Sequence, residues 1–310
     1  MAEKILITPR SFGKSDPGLF TLLEDAGYEV IRNQTGSILN KQQIMDMAAP
    51  CSGVILGVDP FDADVIAAAP RLRAISKYGV GVDNIDLRAA AAKGIKVSKT
   101  IGANAEAVAD YTIALMLALS RKLLPIDTQC RRGDWSKITT LDFNHATLGL
   151  FGLGAIGKNV AERAKAFSMR ILAYDVNWDA AYAQAKGIDY ADPETILHTA
   201  DFISLHLPLL PSTENFIGKT ELAMMKPTAI LVNTARGGLI DEAALLNALQ
   251  ENRIQGAGID AFRQEPPEDE RWFALHNVIL GSHCAASTKG ASENMGRMAA
   301  VNILRDLTQS

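Results

Sequence analysis

Short apolar runs without polar alternation recur along the chain. They are Ile5–Thr8, Val54–Leu56, Ala74–Ser76, Leu148–Phe151, Ile171–Tyr174, Phe202–Leu207, Ile230–Asn233, Gly258–Asp260 and Val278–Leu280. Runs of this length and character predict strands covered on both faces, as in parallel sheets. Between them lie segments with helical spacing, most clearly Phe20–Ala26, Asp62–Ala68, Glu106–Ser120, Ile156–Phe167, Asp241–Gln250 and Ser292–Leu307. Asp241 directly precedes a helical pattern and reads as an N-cap. Strands alternating with helices imply an α/β architecture with right-handed crossovers.

One strand–helix–strand unit carries an extra signal. Three glycines, Gly152, Gly154 and Gly157, follow the run at 148–151, and Asp175 ends the next run, 18 residues after Gly157. Gly152 suits a tight turn and Gly154 a close backbone approach to a pyrophosphate. Gly157 suits tight helix–sheet packing, with the positive helix end aimed at phosphates. An acid at this distance accepts hydrogen bonds from a ribose diol. The unit therefore predicts a dinucleotide site, with NAD as the cofactor. It begins near residue 146, so about a hundred residues of separate βα material precede it. The last helix follows the final strand of the cofactor unit. This order predicts a discontinuous first domain, 1–100 with 287–310, interrupted by a cofactor domain at 101–286.

Composition narrows the class. At 310 residues, with 48% apolar and 21% charged positions and a net charge of −4, the chain reads as a globular enzyme rather than a nucleic-acid or membrane-surface binder. The N-terminus runs straight into a strand, so no signal peptide is expected. No apolar stretch approaches the ~20 residues of a bilayer span. Cys51, Cys130 and Cys284 lack metal-ligand spacing and are odd in number. They predict reduced thiols in the cytoplasm and no metal site.

Three strand-then-loop segments end in reactive residue types: Arg236 after 230–233, Glu265 after 258–260 and His283 after 278–280. Ligands of open α/β sheets bind at the carboxyl ends of strands, so the three can converge. A histidine gives and takes a proton near neutral pH. A carboxylate beside it orients the ring and favours its charged form. An arginine matches a carboxylate with a fork of donors. The set suits hydride exchange between a 2-hydroxy acid and its 2-oxo acid. Each residue alone also has an ordinary structural reading: a surface ion pair for Arg236, an acidic loop for Glu265, a satisfied core position for His283.

The glycine turn, TARGGLIDEAALLNAL, GAGID with QEPP, and the strand before His283 closely resemble the D-isomer-specific 2-hydroxyacid dehydrogenase family. SKYGVGVDNID and AVADYTIALMLALSR resemble its substrate loop and long interdomain helix. The likeness covers nearly the whole chain and falls closest to the phosphoglycerate dehydrogenase-like branch. It implies two doubly wound parallel-sheet domains, Rossmann- or flavodoxin-like, with a cleft between them, and a homodimer formed through the cofactor domains. By this resemblance, Arg236, Glu265 and His283 are catalytic. Lys77 stands where the branch places a substrate-binding arginine, Val80 and Gly81 bind the substrate carboxylate, and Asn104 lies near the cleft. Ala155 and Ile156 lie under the pyrophosphate, and Leu207 and Pro208 flank the adenine. Thr234 and Ala235 line the nicotinamide ribose, Asp260 receives the carboxamide, and Ala285 follows the histidine.

The chain departs from the family in two places. Gly281-Ser282-His283-Cys284 lacks the proline that often precedes the histidine. Gly57 and Lys77 occupy positions where serine-pathway phosphoglycerate dehydrogenases carry arginines for the substrate phosphate, which weighs against 3-phosphoglycerate. Phosphoglycerate dehydrogenase and glyoxylate or hydroxypyruvate reductase both stay open. A corepressor-like NAD(H)-sensing protein on the same scaffold is the alternative outside catalysis. A Rossmann methyltransferase is opposed by the TARGG and QEPP segments.

Overall fold

The computed structural model describes residues 2–308. Two compact units divide the chain: Met1–Asn104 with Ser287–Ser310, and Ala105–Ala286. Met1, Gln309 and Ser310, at the outer ends of the assigned segments, lie outside the described residues. The first crossing falls after Asn104 rather than at residue 100. Backbone N–H of Thr100 donates to Gly79 O at 3.0 Å, and its Oγ1 accepts from Gly79 N at 2.8 Å, which ties this segment to the first unit.

The first unit holds β1 (Lys4–Ile7), β2 (Glu29–Arg32), β3 (Gly53–Leu56), β4 (Ala74–Lys77) and β5 (Lys96–Lys99), in the all-parallel order β2-β1-β3-β4-β5. This is the flavodoxin-like doubly wound order. One face of the sheet packs Leu6, Val54, Leu56 and Ile75 against Ile44, Phe61 and Val65. The other packs Ile5, Ile7 and Ile55 against Ile303 and Leu307 of the helix Lys289–Thr308. The C-terminal segment therefore completes this unit's core, which explains its discontinuity.

The second unit holds β6 (Thr147–Phe151), β7 (Arg170–Tyr174), β8 (Asp189–Tyr190), β9 (Phe202–Leu205), β10 (Ile230–Asn233), β11 (Gly256–Ile259) and β12 (Val278–Leu280). All pairs are parallel, in the order β8-β7-β6-β9-β10-β11-β12. Connection direction reverses between β6 and β9, and crevices for ligands form at such switch points. Successive residues alternate between two buried layers. Ile203, Leu205, Leu231 and Ile259 face Ile196, Leu245 and Leu249. Leu148, Leu150, Phe202, Ile230 and Val232 face Ile113, Met116, Val160 and Ala164. The helix Ala105–Ser120 buries Ile113, Leu115 and Met116 in the second layer. Among the described residues, no helix is long and apolar enough to cross a membrane.

Candidate active site

The turn after β6 is shaped by its glycines. Gly152 has φ 101°, and a Cβ there would lie 2.6 Å from His206 O. A Cβ at Gly157 would lie 2.1 Å from Gly152 O, so only glycine lets the following helix approach the turn. Gly154 faces open space and begins the helix Ala155–Lys165 with no side-chain cap, leaving backbone N–H groups of the first turn for an anion. Asp175 closes the turn from the end of β7. Its Oδ2 accepts from Leu153 N at 2.6 Å and its Oδ1 from Asn177 N at 2.8 Å. Each oxygen keeps a lone pair for a diol. An uncapped helix end, a turn that a Cβ would fill and a fixed acid together fit a dinucleotide.

β9 ends at Leu205, two residues earlier than expected, with the N–H of His206 donating to Phe151 O, the last residue of β6, at 2.7 Å. Leu207 is buried and Pro208 exposed just beyond.

Arg236, Glu265 and His283 stand in the loops after β10, β11 and β12. His283 Nδ1 lies 2.9 Å from Glu265 Oε1 and 3.0 Å from Oε2, and Phe262 N donates to Oε1 at 3.1 Å. Burial acts to raise the Glu265 pKa. The hydrogen bond and charge of His283, the Phe262 N–H and the charge of Arg236 outweigh it and hold the carboxyl below its ordinary range. The loop carrying Arg236 is braced by Asn233, which is fully buried. Asn233 Nδ2 donates to Arg236 O at 2.8 Å, and its Oδ1 accepts from Ala235 N at 3.0 Å. Arg236 Nη1 donates to Ala235 O at 2.7 Å. A Cβ at Gly237 would lie 1.9 Å from Phe262 C, so the Arg236 and Glu265 loops pack backbone to backbone. Sequence reasoning gave Asn233 no role; a polar residue closing the apolar run Ile-Leu-Val was the available signal.

Thr234 is buried, its Oγ1 3.0 Å from Thr112 Oγ1. Asp260 is 1% exposed, with Oδ1 and Oδ2 accepting from Cys284 N at 3.0 Å and Ala285 N at 2.9 Å. Ala285 is buried beside it.

The remaining residues named from the sequence belong to the first unit. Lys77 ends β4, buried, with Nζ donating to Gly57 O and to Asn84 Oδ1 at 2.8 Å. Val80 and Gly81 follow in the next loop, Val80 exposed. Asn104 Oδ1 is buried without a hydrogen-bond partner.

A sequence profile described as "D-isomer specific 2-hydroxyacid dehydrogenase, NAD binding domain" matches residues 113–285. The chain is 41% identical over 273 residues to a glyoxylate reductase of Korarchaeum cryptofilum, covering 86% of this chain and 82% of that protein. It is 43% identical over 247 residues to a D-3-phosphoglycerate dehydrogenase of Methanocaldococcus jannaschii, covering 79% of this chain but 47% of that protein. Among solved structures, D-lactate dehydrogenase from Aquifex aeolicus complexed with NAD and lactic acid superposes with a TM-score of 0.85 at 27% identity, over 96% of this chain and 94% of that one. The chain belongs to the D-isomer-specific 2-hydroxyacid dehydrogenase family, as an NAD-dependent enzyme.

Proposed function

We propose that this enzyme interconverts a small, unphosphorylated 2-hydroxy acid and its 2-oxo acid, with glyoxylate and hydroxypyruvate as the first candidates. The observation that carries the chemistry is the His283–Glu265 pair at 2.9 Å. Bound NADH supplies the hydride. His283 donates a proton from its free ring nitrogen to the substrate carbonyl oxygen in reduction and takes it back in oxidation. Glu265, ionised and bonded to Nδ1, holds the ring. Arg236 binds the substrate carboxylate and orients the carbonyl. We assign Lys77, Val80, Gly81 and Asn104 to substrate binding as well.

The cofactor residues we assign are Gly152, Gly154, Ala155, Ile156 and Gly157 to the pyrophosphate, Asp175 to the adenosine ribose, and Leu207 and Pro208 to the adenine. Thr234, Ala235, Asp260 and Ala285 take the nicotinamide end.

The absence of a phosphate on the substrate rests on the residues at 57 and 77. A dianion prefers several forked donors. Position 57 has no side chain, and Lys77 presents one ammonium, not a fork of donors, and already donates to Gly57 O and Asn84 Oδ1. Glyoxylate, hydroxypyruvate, pyruvate and 3-phosphohydroxypyruvate offered to the purified protein with NADH, followed by absorbance, test the reading. Turnover with a small unphosphorylated acid supports it. Fastest turnover with the phosphorylated acid overturns the substrate class. NADH binding with no turnover favours the sensor alternative.

We also infer a homodimer formed through the second unit, in the cytoplasm. The helix Leu123–Arg131 buries none of its residues, Leu123 and Leu124 are half exposed, and Trp135 is 81% exposed. Large apolar side chains left exposed so near one another in the chain favour a partner. All three cysteines are free, in keeping with a reducing compartment. Light scattering of the protein and of Trp135→Ser tests the dimer, the variant being expected to shift toward monomer.

A further inference from the structure

His283 holds a left-handed backbone conformation, φ 55°. The conformation is uncommon outside glycine, although histidine is among the side chains enriched in it. The surroundings here are specific. Before the histidine, Gly281 N donates to Ile259 O at 2.8 Å. After it, Cys284 N and Ala285 N donate to the two oxygens of Asp260. Both tethers end on neighbouring residues at the end of β11. Asp260 is itself held, its own N–H donating to Asn233 O at 2.9 Å.

Tyr111, on the helix Ala105–Ser120, backs this arrangement. Its hydroxyl lies 3.5 Å from Cys284 Sγ, which is also 3.5 Å from Asp260 Oδ1. A Cβ at position 281 would lie 2.1 Å from Asp260 Oδ1 and 2.8 Å from the Tyr111 hydroxyl. The same two groups therefore close position 281 to any side chain. Burial first, then Cys284 and the charge of Asp260, raise the Tyr111 pKa far above its ordinary value, so the hydroxyl stays neutral.

We propose that Asp260, backed by Tyr111, is a positioning residue for His283: its carboxylate staples the two N–H groups after the histidine and so aims the ring at Glu265. The proposal rests on His283 being the proton donor. Two donors arriving on two oxygens require a carboxylate. An asparagine offers one oxygen and turns an NH2 toward the other N–H. Oδ2 of Asp260 accepts from Ala285 N and has a second lone pair, so the staple is compatible with a cofactor contact, but the staple acts in the cofactor-free protein as well.

That difference gives the test. Cofactor-free protein labelled with 15N-histidine is examined by NMR, His283 being assigned from the spectrum of His283→Ala. The wild type should show an Nδ1–H resonance of a ring bonded to a carboxylate. Asp260→Asn should lose or broaden it without NADH present, with kcat for 2-oxo acid reduction falling by about 10²-fold, the scale of a misplaced reacting group. Tyr111→Phe should move the same resonance by less. An unchanged resonance in folded Asp260→Asn, with only NADH affinity lost, overturns the staple and leaves Asp260 a cofactor contact. Should Asp260→Asn not fold, Gly281→Ala displaces the same carboxylate, and an unchanged His283 resonance there overturns the proposal equally. Full activity in His283→Ala would instead sink the proton-donor reading while leaving the resonance shifts standing, so the two failures are distinct.

Discussion

Nδ1 of His283 lies 2.9 Å from Oε1 of Glu265, although 18 positions separate them in the chain. They meet because β11 and β12 are adjacent and parallel, so both loops leave the carboxyl end of the sheet. The Glu265 carboxyl is held below its ordinary value and is ionised at neutral pH. A lowered folded-state value means that the interaction stabilises the fold fully above the ordinary value of 4.5, and that this stability is lost as pH falls through the lowered one. Glu265→Gln should flatten that acid limb in melts taken between pH 3 and 6. Superimposable acid limbs in the two sets of melts would contradict this role.

With Asp175 at the adenosine ribose, as proposed, NAD is expected to be preferred over NADP. A 2′-phosphate beside its carboxylate meets repulsion of up to ~4 kcal/mol per charge pair at about 4 Å and an effective dielectric near 20. Val176, Asn177 and Trp178 supply no cation. The ratio of kcat/KM for NADH over NADPH should be large. Near-equal values would remove the argument.

Gly157→Ala tests the turn. Its new methyl would lie 2.1 Å from Gly152 O, which is backbone and has little room to yield. Overpacking of this kind costs about 1–3 kcal/mol. The expected result is a lower Tm together with weakened NADH binding by titration. Gly154→Ala faces open space in the free protein, so it should spare Tm while still weakening NADH binding, where the cofactor approaches the backbone.

Arg236→Lys keeps the charge but loses the fork. One ammonium does not reproduce a bidentate grip, and a lost charged hydrogen bond is worth about 1.5–3 kcal/mol. A fall of roughly 10- to 150-fold in kcat/KM is expected, visible in both KM and kcat because orientation suffers along with binding. A change confined to KM would limit Arg236 to holding the substrate.

The interior of both sheets and the edge strand β12 were readable from the sequence, and the other three edges were not. The strands at 5–8, 54–56, 148–151 and 230–233 stand within a residue or two of β1, β3, β6 and β10 because strands covered on both faces are written as unbroken apolar runs. β2, β5 and β8 escaped notice, and each lies at a sheet edge. Glu29–Arg32 and Lys96–Lys99 carry charges at their ends, and Asp189–Tyr190 is two residues long, so half-solvated strands lost the apolar signal. Asp241 was legible as a cap because capping is local; its side chain accepts from Ala244 N. The residues at the candidate site were legible as reactive types after strands. What braces them was not: Asn233, Tyr111 and the carboxylate staple of Asp260 depend on which strand neighbours which. That order is written in the packing of the sheet and not in any one segment.

The most direct test is NADH oxidation by His283→Ala with the best 2-oxo acid, measured beside the wild type from pH 6 to 9, with NADH affinity titrated separately. The account predicts a kcat lowered by about 10²–10⁴, the range of general acid–base catalysis, with NADH bound almost as tightly as before. Near-normal turnover across that pH range would contradict it.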